Sequence, residues 1–259
     1  MDTLINHPAL LVGLAVIAAF VVTGVVRDML ERRAGDDAPV KPVTTHYRNT
    51  ALSLWAVSAA CLVCWVLAGQ PLAAMGLQAP QGWTGWLAWG LAAATLVYAI
   101  HSLTEAARNR DVRCKLRQEL DTAEGFAQLR PRTAVQHAGF QALALTAGIT
   151  EEVIFRGFLI ATLAFIMPLW LAALSAIGVF VLAHAYQGLP GMLRILPITV
   201  VMTVTVLLGG SLWPAMVMHV LVDALAGALV ALCDARADAD AASEETSGSP
   251  DDQASTASA

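Results

Sequence analysis

Long apolar runs, separated by short polar segments that contain glycine or proline, dominate the chain. A bilayer core about 30 Å thick needs roughly 20 residues of helix to cross it. Seven runs approach that length: Ala9–Val26, Thr50–Gly69, Trp83–Leu103, Ala138–Phe165, Pro168–His184, Leu193–Leu208 and Leu212–Leu232. The pattern predicts an all-α, polytopic transmembrane bundle of about seven membrane helices.

The composition agrees with this pattern. Of the 259 residues, 57% are apolar and 14% are charged, whereas a soluble domain has about 45–50% apolar and about 25% charged residues. Cys61 and Cys64 form a CxxC inside an apolar run, and no second pair follows at zinc-finger spacing. The composition therefore excludes an ordinary soluble domain, and the cysteines are interpreted as small buried hydrophobic residues.

The basic residues predict the orientation of the bundle. With seven helices, every Lys and Arg outside the helices falls on one face, while the alternate loops 70–82, 166–168 and 209–211 contain none. The basic residues on that face are Arg27, Arg32, Arg33, Lys41, Arg48, Arg108, Arg110, Arg113, Lys115, Arg117, Arg130, Arg132, Arg194 and Arg236. The positive-inside rule makes this face cytoplasmic, with the N-terminus outside and the C-terminus inside. The first run lacks a basic leader and a small-residue cleavage site, so it is predicted to be an anchor and not a signal peptide.

The chain divides into three predicted parts. Residues 1–137 would form N-terminal membrane helices with basic cytoplasmic loops, and residues 138–233 a helical core. Residues 234–259 are acidic and rich in Ala, Ser and Thr, which predicts a disordered tail. Within Thr104–Arg132, apolar residues recur every four positions among basic ones. This favours a helix that lies on the inner surface against anionic lipid headgroups, or a solvated cytoplasmic helix; a nucleic-acid partner is not expected.

Ionisable residues inside membrane helices are costly and usually mark a functional site. They are Glu151, Glu152 and Arg156 on the fourth predicted helix, His184 at the end of the fifth, and His219 and Asp223 on the seventh. Glu152 and Arg156 are four residues apart and can pair on one helix face. Glu151 is turned by about 100° from Glu152, which leaves a carboxylate for general-base chemistry. His219 and Asp223 also share a face, so the set can converge to activate water or bind a metal.

Three motifs follow one another in this region. Residues 151–157 read EEVIFRG (EExxxR), residues 180–184 read FVLAH (FxxxH), and residues 219–223 read HVLVD (HxxxD). In this order and spacing the chain resembles the CPBP family of intramembrane proteases, also known as the CAAX-protease, bacteriocin-processing or Abi group, over roughly Ala138–Leu232. The resemblance implies a membrane-embedded endopeptidase in the bacterial cytoplasmic membrane, with a cavity open to the cytoplasm and a membrane protein or peptide as substrate.

The resemblance also implies roles for individual residues. Glu151 and His184 would activate the hydrolytic water, Glu152 and Arg156 would hold the architecture, and His219 and Asp223 would stabilise the oxyanion. The family is described both as metal-dependent and as metal-free. Glu151, His184 and His219 are acceptable zinc ligands, although the spacing lacks the HExxH of zincins. The cofactor is therefore zinc or none.

Asp223 is a departure from the prenyl-peptidase members of the family, which have Asn at this position. An Asn amide can donate hydrogen bonds to an oxyanion, whereas an ionised Asp only accepts them. Asp223 would be protonated, orient His219 or help to hold a metal. The departure argues against prenylated substrates and leaves an alternative function, a non-proteolytic immunity or scaffold protein that binds a peptide in the same cavity. A proton-coupled transporter is less favoured, because no internal repeat is visible.

Overall fold

The computed structural model describes residues 4–34, 42–122 and 129–247, and every regular element within these ranges is helical. The α-helices are α1 (Pro8–Ala34), α2 (Val43–Leu67), α3 (Gly82–Arg108), α4 (Arg110–Thr122), α5 (Ala134–Glu151), α6 (Ile160–Leu163), α7 (Leu169–Ala183), α8 (Gly188–Gly209) and α9 (Trp213–Ser247). A π-helix, Glu152–Leu159, joins α5 to α6, and short 3-10 turns occur at Leu4–Asn6, Leu72–Met75 and Ala185–Gln187. The all-α prediction is confirmed for the described residues.

Five stretches of the described chain are long and apolar enough to cross a bilayer. They are Pro8–Ala34, Val43–Leu67, Gly82–Arg108, Ala185–Gly209 and Trp213–Arg236. All seven predicted runs are helical, but α7 has only 15 residues, and the fourth run is divided among α5, the π-helix and α6. The protein is therefore an integral membrane protein, while the count of seven spans and the orientation of the termini remain predictions.

The structure differs from the sequence prediction at several boundaries. Arg194 lies within α8 and not in a loop before it. Helix α9 continues as far as Ser247, into the part predicted to be a disordered tail, and residues 248–259 lie outside the described residues, as does Lys41. Cys61 and Cys64 are buried as predicted, but Cys114 is exposed because it lies on the polar helix α4.

The π-helix forms the centre of the bundle. All eight of its residues are buried, and α2, α5, α6 and α7 contact it. Phe158 packs against Trp65 of α2 in an edge-to-face arrangement, with ring centroids 6.1 Å apart. A Cβ on Gly13 of α1 would lie 2.2 Å from the Phe158 ring, so glycine is required for this close approach. Glu152 and Arg156 are therefore held in the interior of the bundle.

Helix α4 and Arg130 are both held against α9. Helix α4 contacts α3 and α9, and its Val112, Leu116 and Leu120 are half-buried, so the predicted apolar stripe is present. Arg130 forms an ion pair with Asp234 of α9. The contacts attach the predicted surface helix to the bundle; its contact with lipid headgroups remains a prediction.

Exposed tryptophans lie at the starts of three helices, α3, α7 and α9. Trp83 and Trp86 at the start of α3, Trp170 at the start of α7 and Trp213 at the start of α9 are all exposed. Tryptophan is enriched where membrane helices meet the headgroup region. These residues follow the three loops that lack Lys and Arg, so the loops are expected to share one membrane interface.

Helices α5 and α9, which carry Glu151, His219 and Asp223, cross at Gly148. A Cβ at this position would lie 2.5 Å from Val220 Cγ2 and 2.7 Å from the Val220 backbone nitrogen. The backbone of α9 cannot move aside as a flexible side chain can. The distance between the two helices therefore depends on the absence of a side chain at Gly148.

Gly148→Ala is expected to destabilise the protein by about 1–3 kcal/mol, the usual cost of overpacking a filled interior, and to lower any activity of the site. The measurement is thermal unfolding of the detergent-purified protein. Gly178→Ala on α7 is the matched control, since a Cβ there meets nothing within 4 Å; it should be neutral or slightly stabilising. Equal unfolding temperatures for the two variants would contradict the role of Gly148.

Candidate active site

The backbone of the fourth predicted helix positions two adjacent carboxylates. Thr133 caps the start of α5, and its side chain and that of Gln136 form a capping box. Glu151 is the last residue of α5, and Glu152 is the first residue of the π-helix. The sequence predicted a regular α-helix here. Single π turns inside α-helices are rare and occur frequently at functional sites, and this one begins at the paired glutamates.

The predicted ion pair between Glu152 and Arg156 is present. Arg156 Nη1 lies 2.9 Å from Glu152 Oε1, and the two side chains are 2% and 0% exposed. The guanidinium lies over the Phe180 ring, 4.1 Å from its centroid, and Nε donates to Thr203 Oγ1 at 3.5 Å. Neither charge is solvated, so each depends on the other and on these neighbours for its stability.

His219 connects this ion pair to the rest of the site. Its Nδ1 is 2.8 Å from Glu152 Oε1, and because a carboxylate only accepts, this nitrogen carries the hydrogen. Its Nε2 faces the other way, 3.8 Å from Glu151 Oε2 and 3.7 Å from Asp223 Oδ2. The sequence pattern predicts separate roles for the two glutamates, with Glu152 in the ion pair and Glu151 as a general base. The structure corrects this, because a single imidazole lies between them.

His184 is oriented in a similar way from a different helix. It follows the last residue of α7, and its Nδ1 donates to the backbone carbonyl of Phe180 at 2.9 Å. Its ring packs on the Phe180 ring, with centroids 4.5 Å apart. In the neutral ring, Nε2 then carries a lone pair and no hydrogen, and this nitrogen lies 4.0 Å from Glu151 Oε2. Fixing one ring nitrogen in this manner determines what the other nitrogen can do.

Glu151 lies where these groups converge. Its Oε2 is buried and, within the described part of the chain, has no hydrogen-bond partner. The distances of 3.8 and 4.0 Å to the histidine nitrogens are too long for direct hydrogen bonds, but suit one small molecule held between them. A buried carboxylate oxygen without a partner is costly. The geometry therefore favours a water or a substrate group beside Glu151.

Accessibility increases across the site in one direction. The side chain of Glu152 is fully buried, His219 is 7% exposed, and Glu151 and His184 are 13% and 15% exposed. Asp223 is 36% exposed. The site is therefore closed at the Glu152–Arg156 ion pair and open on the side of Asp223, from which a substrate would approach.

The predicted zinc ligands do not form a metal-binding set in this arrangement. Two donors of one tetrahedral zinc ion are separated by about 3.3 Å when each bond is about 2.0 Å. The nitrogens of His184 and His219 are 4.0 and 3.8 Å from Glu151 Oε2. No group of three or more His, Cys, Asp or Glu side chains in the described ranges is arranged to hold a metal ion. Zinc remains a prediction.

Fold and site together define a helical integral membrane protein with a buried cluster of carboxylates and imidazoles. Residues 134–225 match the family model described as "Type II CAAX prenyl endopeptidase Rce1-like", which confirms the resemblance to the CPBP and CAAX-protease family. The matched region is about a third of the chain and contains the six ionisable residues of the three motifs, Glu151, Glu152, Arg156, His184, His219 and Asp223. No match was found among curated proteins or among solved structures. The family points to a protease.

The structure adds contacts that the sequence reasoning did not predict. Phe180 belongs to the FxxxH motif, but its position beneath both Arg156 and His184 was not foreseen. Thr203 on α8 and Tyr186 after α7 also approach the site. A phenylalanine at fixed spacing before the histidine was the available signal for Phe180. Thr203 and Tyr186 lie outside the three motifs.

Proposed function

We propose that the protein is an intramembrane endopeptidase in which Glu151 and His184 activate water for the hydrolysis of a peptide bond. The observation that carries the proposal is the buried, unpartnered Oε2 of Glu151, with the Nε2 atoms of two histidines 4.0 and 3.8 Å away. The family match supports the reaction class. Three separate helical segments supply these groups, so the arrangement is a product of folding and not of local sequence.

In this mechanism Glu151 is the general base. A water held between Glu151 Oε2 and His184 Nε2 gives a proton to Glu151 as its oxygen attacks the substrate carbonyl carbon. His184 orients the water by accepting its second hydrogen at Nε2, because Nδ1 is committed to the Phe180 carbonyl. When the tetrahedral intermediate collapses, the carbon–nitrogen bond breaks and Glu151 passes its proton to the leaving amine.

The Glu152–Arg156 ion pair and His219 stabilise the negative charge that develops on the oxyanion. Glu152 fixes the His219 ring through Nδ1, at 2.8 Å, and Arg156 fixes Glu152 in turn. The Nε2 of His219 faces the side from which the site is accessible. A doubly protonated His219 would have a carboxylate near each nitrogen, and its Nε2–H can donate to an oxyanion. An ionised Asp223 can orient this ring but cannot itself donate.

The membrane and the orientation of the protein in it are inferred from the basic residues. We propose that the protein lies in the bacterial cytoplasmic membrane with the basic face inside, as the positive-inside pattern predicts. A membrane protein or a membrane-associated peptide would enter on the side of Asp223. Peptides with and without a prenyl group should both be assayed, because Asp223 departs from the prenyl-peptidase pattern.

His184→Ala is expected to lower the rate of peptide cleavage about 10²-fold by leaving the water misplaced, with peptide affinity little changed. The assay is mass spectrometry of a peptide library incubated with the protein in proteoliposomes. His101→Ala is the matched control, since His101 is an exposed histidine on α3, and it should behave as the unaltered protein. If the His184 variant cleaves at the rate of the control, water activation by His184 is wrong.

The same assay distinguishes hydrolysis from binding. A non-proteolytic immunity or scaffold protein would show saturable peptide binding without products, and its function in the host would survive loss of both Glu151 and His184. Metal analysis of the detergent-purified protein, with and without His219, addresses the cofactor. One zinc per chain that is lost with His219 would support a metal-dependent reaction.

A further inference from the structure

The turn that follows His184 brings a tyrosine to the edge of the site. Tyr186 lies in the 3-10 turn Ala185–Gln187, and its ring centroid is 5.9 Å from that of His184. Gly188, with φ +69°, turns the chain into α8 immediately afterwards. The backbone carbonyl of Tyr186 accepts a hydrogen bond from Arg32 of α1 at 2.9 Å. The tyrosine is therefore positioned by contacts on both sides of the turn.

The phenol group of Tyr186 has a hydrogen available for donation. Its oxygen accepts from the Gln187 side-chain amide at 3.1 Å, and no carbonyl or carboxylate of the described residues accepts from it at hydrogen-bond distance. The ring is half-buried. The O–H therefore belongs to a ring that lies beside His184, and it has no acceptor among the described residues.

The proposed reaction requires donors that the motif residues supply only in part. An oxyanion is stabilised by preorganised hydrogen-bond donors. Among the motif residues on the accessible side, His219 can donate through Nε2, while Asp223 lies 3.7 Å from that nitrogen and as a carboxylate only accepts. A second donor from outside the three motifs would complete the set, and Tyr186 is a neutral donor whose ring lies beside that of His184.

We propose that Tyr186 is a further catalytic residue, which donates its phenol hydrogen to the oxyanion of the tetrahedral intermediate alongside His219. This inference rests on the proposed function. As water oxygen bonds to the carbonyl carbon, the carbonyl π electrons move to oxygen, and that oxygen accepts from Tyr186 and His219. No proton leaves Tyr186. When the carbonyl re-forms and the carbon–nitrogen bond breaks, both hydrogen bonds weaken again.

Tyr186→Phe tests this role, because it removes one oxygen and keeps the ring. Loss of a single oxyanion donor costs about 10²–10³-fold in kcat, so kcat should fall about 10²-fold while KM and the unfolding temperature stay unchanged. Tyr47→Phe is the matched control. Tyr47 lies on α2 and donates to the Leu129 carbonyl, away from Glu151. A Tyr186→Phe enzyme with kcat within threefold of the unaltered protein would overturn the assignment.

A binding measurement separates this inference from the proposed function. The probe is a peptide phosphonamidate, whose tetrahedral anionic phosphorus mimics the intermediate, compared with the amide peptide of the same sequence. Tyr186→Phe should weaken phosphonamidate binding at least tenfold and leave the amide unchanged; equal effects on the two ligands would refute oxyanion donation. If Glu151→Gln cleaves normally while Tyr186→Phe shows the selective loss of phosphonamidate affinity, the water-activation mechanism fails but the phenol donor stands.

Discussion

Glu151→Gln is expected to reduce peptide cleavage by about 10²–10⁴-fold, which is the usual contribution of a general base. The amide has the size and shape of the carboxylate, so packing around it should be retained. However, it cannot take a proton from the water held beside His184. Product formation in proteoliposomes, followed by mass spectrometry over hours, measures the residual rate.

Glu105→Gln is the matched control for this experiment. Glu105 is an exposed glutamate on α3 whose carboxylate interacts with Asn109, so its replacement should leave the rate unchanged. Both variants should unfold at the temperature of the unaltered protein. A folded Glu151→Gln protein that cleaves as fast as the Glu105 control would remove Glu151 from the mechanism.

Arg156→Ala should remove folded protein as well as activity. Breaking a buried ion pair by deleting one partner costs about 3–5 kcal/mol, because the remaining charge is left in a medium of low polarity. Arg156 also donates to Thr203 and lies over Phe180, so both contacts are lost with it. The expected result is a large drop in the yield of monodisperse protein and in the unfolding temperature measured in detergent.

An exposed pair of the same spacing is the control for Arg156. Arg27 Nε and Glu31 Oε1 of α1 lie 3.7 Å apart, with both side chains more than half exposed, and such pairs contribute about 0–1 kcal/mol. Arg27→Ala should therefore leave yield and unfolding temperature nearly unchanged. A well-folded and fully active Arg156→Ala protein would show that the buried pair is dispensable and that His219 is oriented by other means.

Much of the fold follows from the distribution of apolar residues. The length of an apolar run indicates a helix, and the glycine or proline at its end indicates the loop that follows. All seven predicted runs are helical. The Glu152–Arg156 contact also follows from spacing alone. The convergence of His184, His219 and Asp223 on Glu151 required the additional premise that charges avoid lipid and so turn towards one another.

The remaining features depend on tertiary packing, which local sequence does not reveal. All eight residues of 152–159 are buried, so the segment has no solvent-facing side whose period could have distinguished the wide turns from those of an α-helix. The close crossing at Gly148 depends on Val220 of α9, 72 residues further along the chain. Tyr186 lies beside His184 in a 3-10 turn that belongs to none of the three motifs.

The π-helix makes the site sensitive to residue number as well as to residue type. Each of its turns holds one residue more than an α-helical turn, so a single deletion between positions 152 and 159 would allow the segment to rewind as an α-helix. Hydropathy and length would scarcely change. A deletion between Glu152 and Arg156 would nevertheless shorten the spacing of the buried ion pair by one residue and change the angle between the two side chains. The segment is expected to tolerate many exchanges of one apolar residue for another, whereas a one-codon deletion there would disturb the contacts of Glu152 with Arg156 and His219.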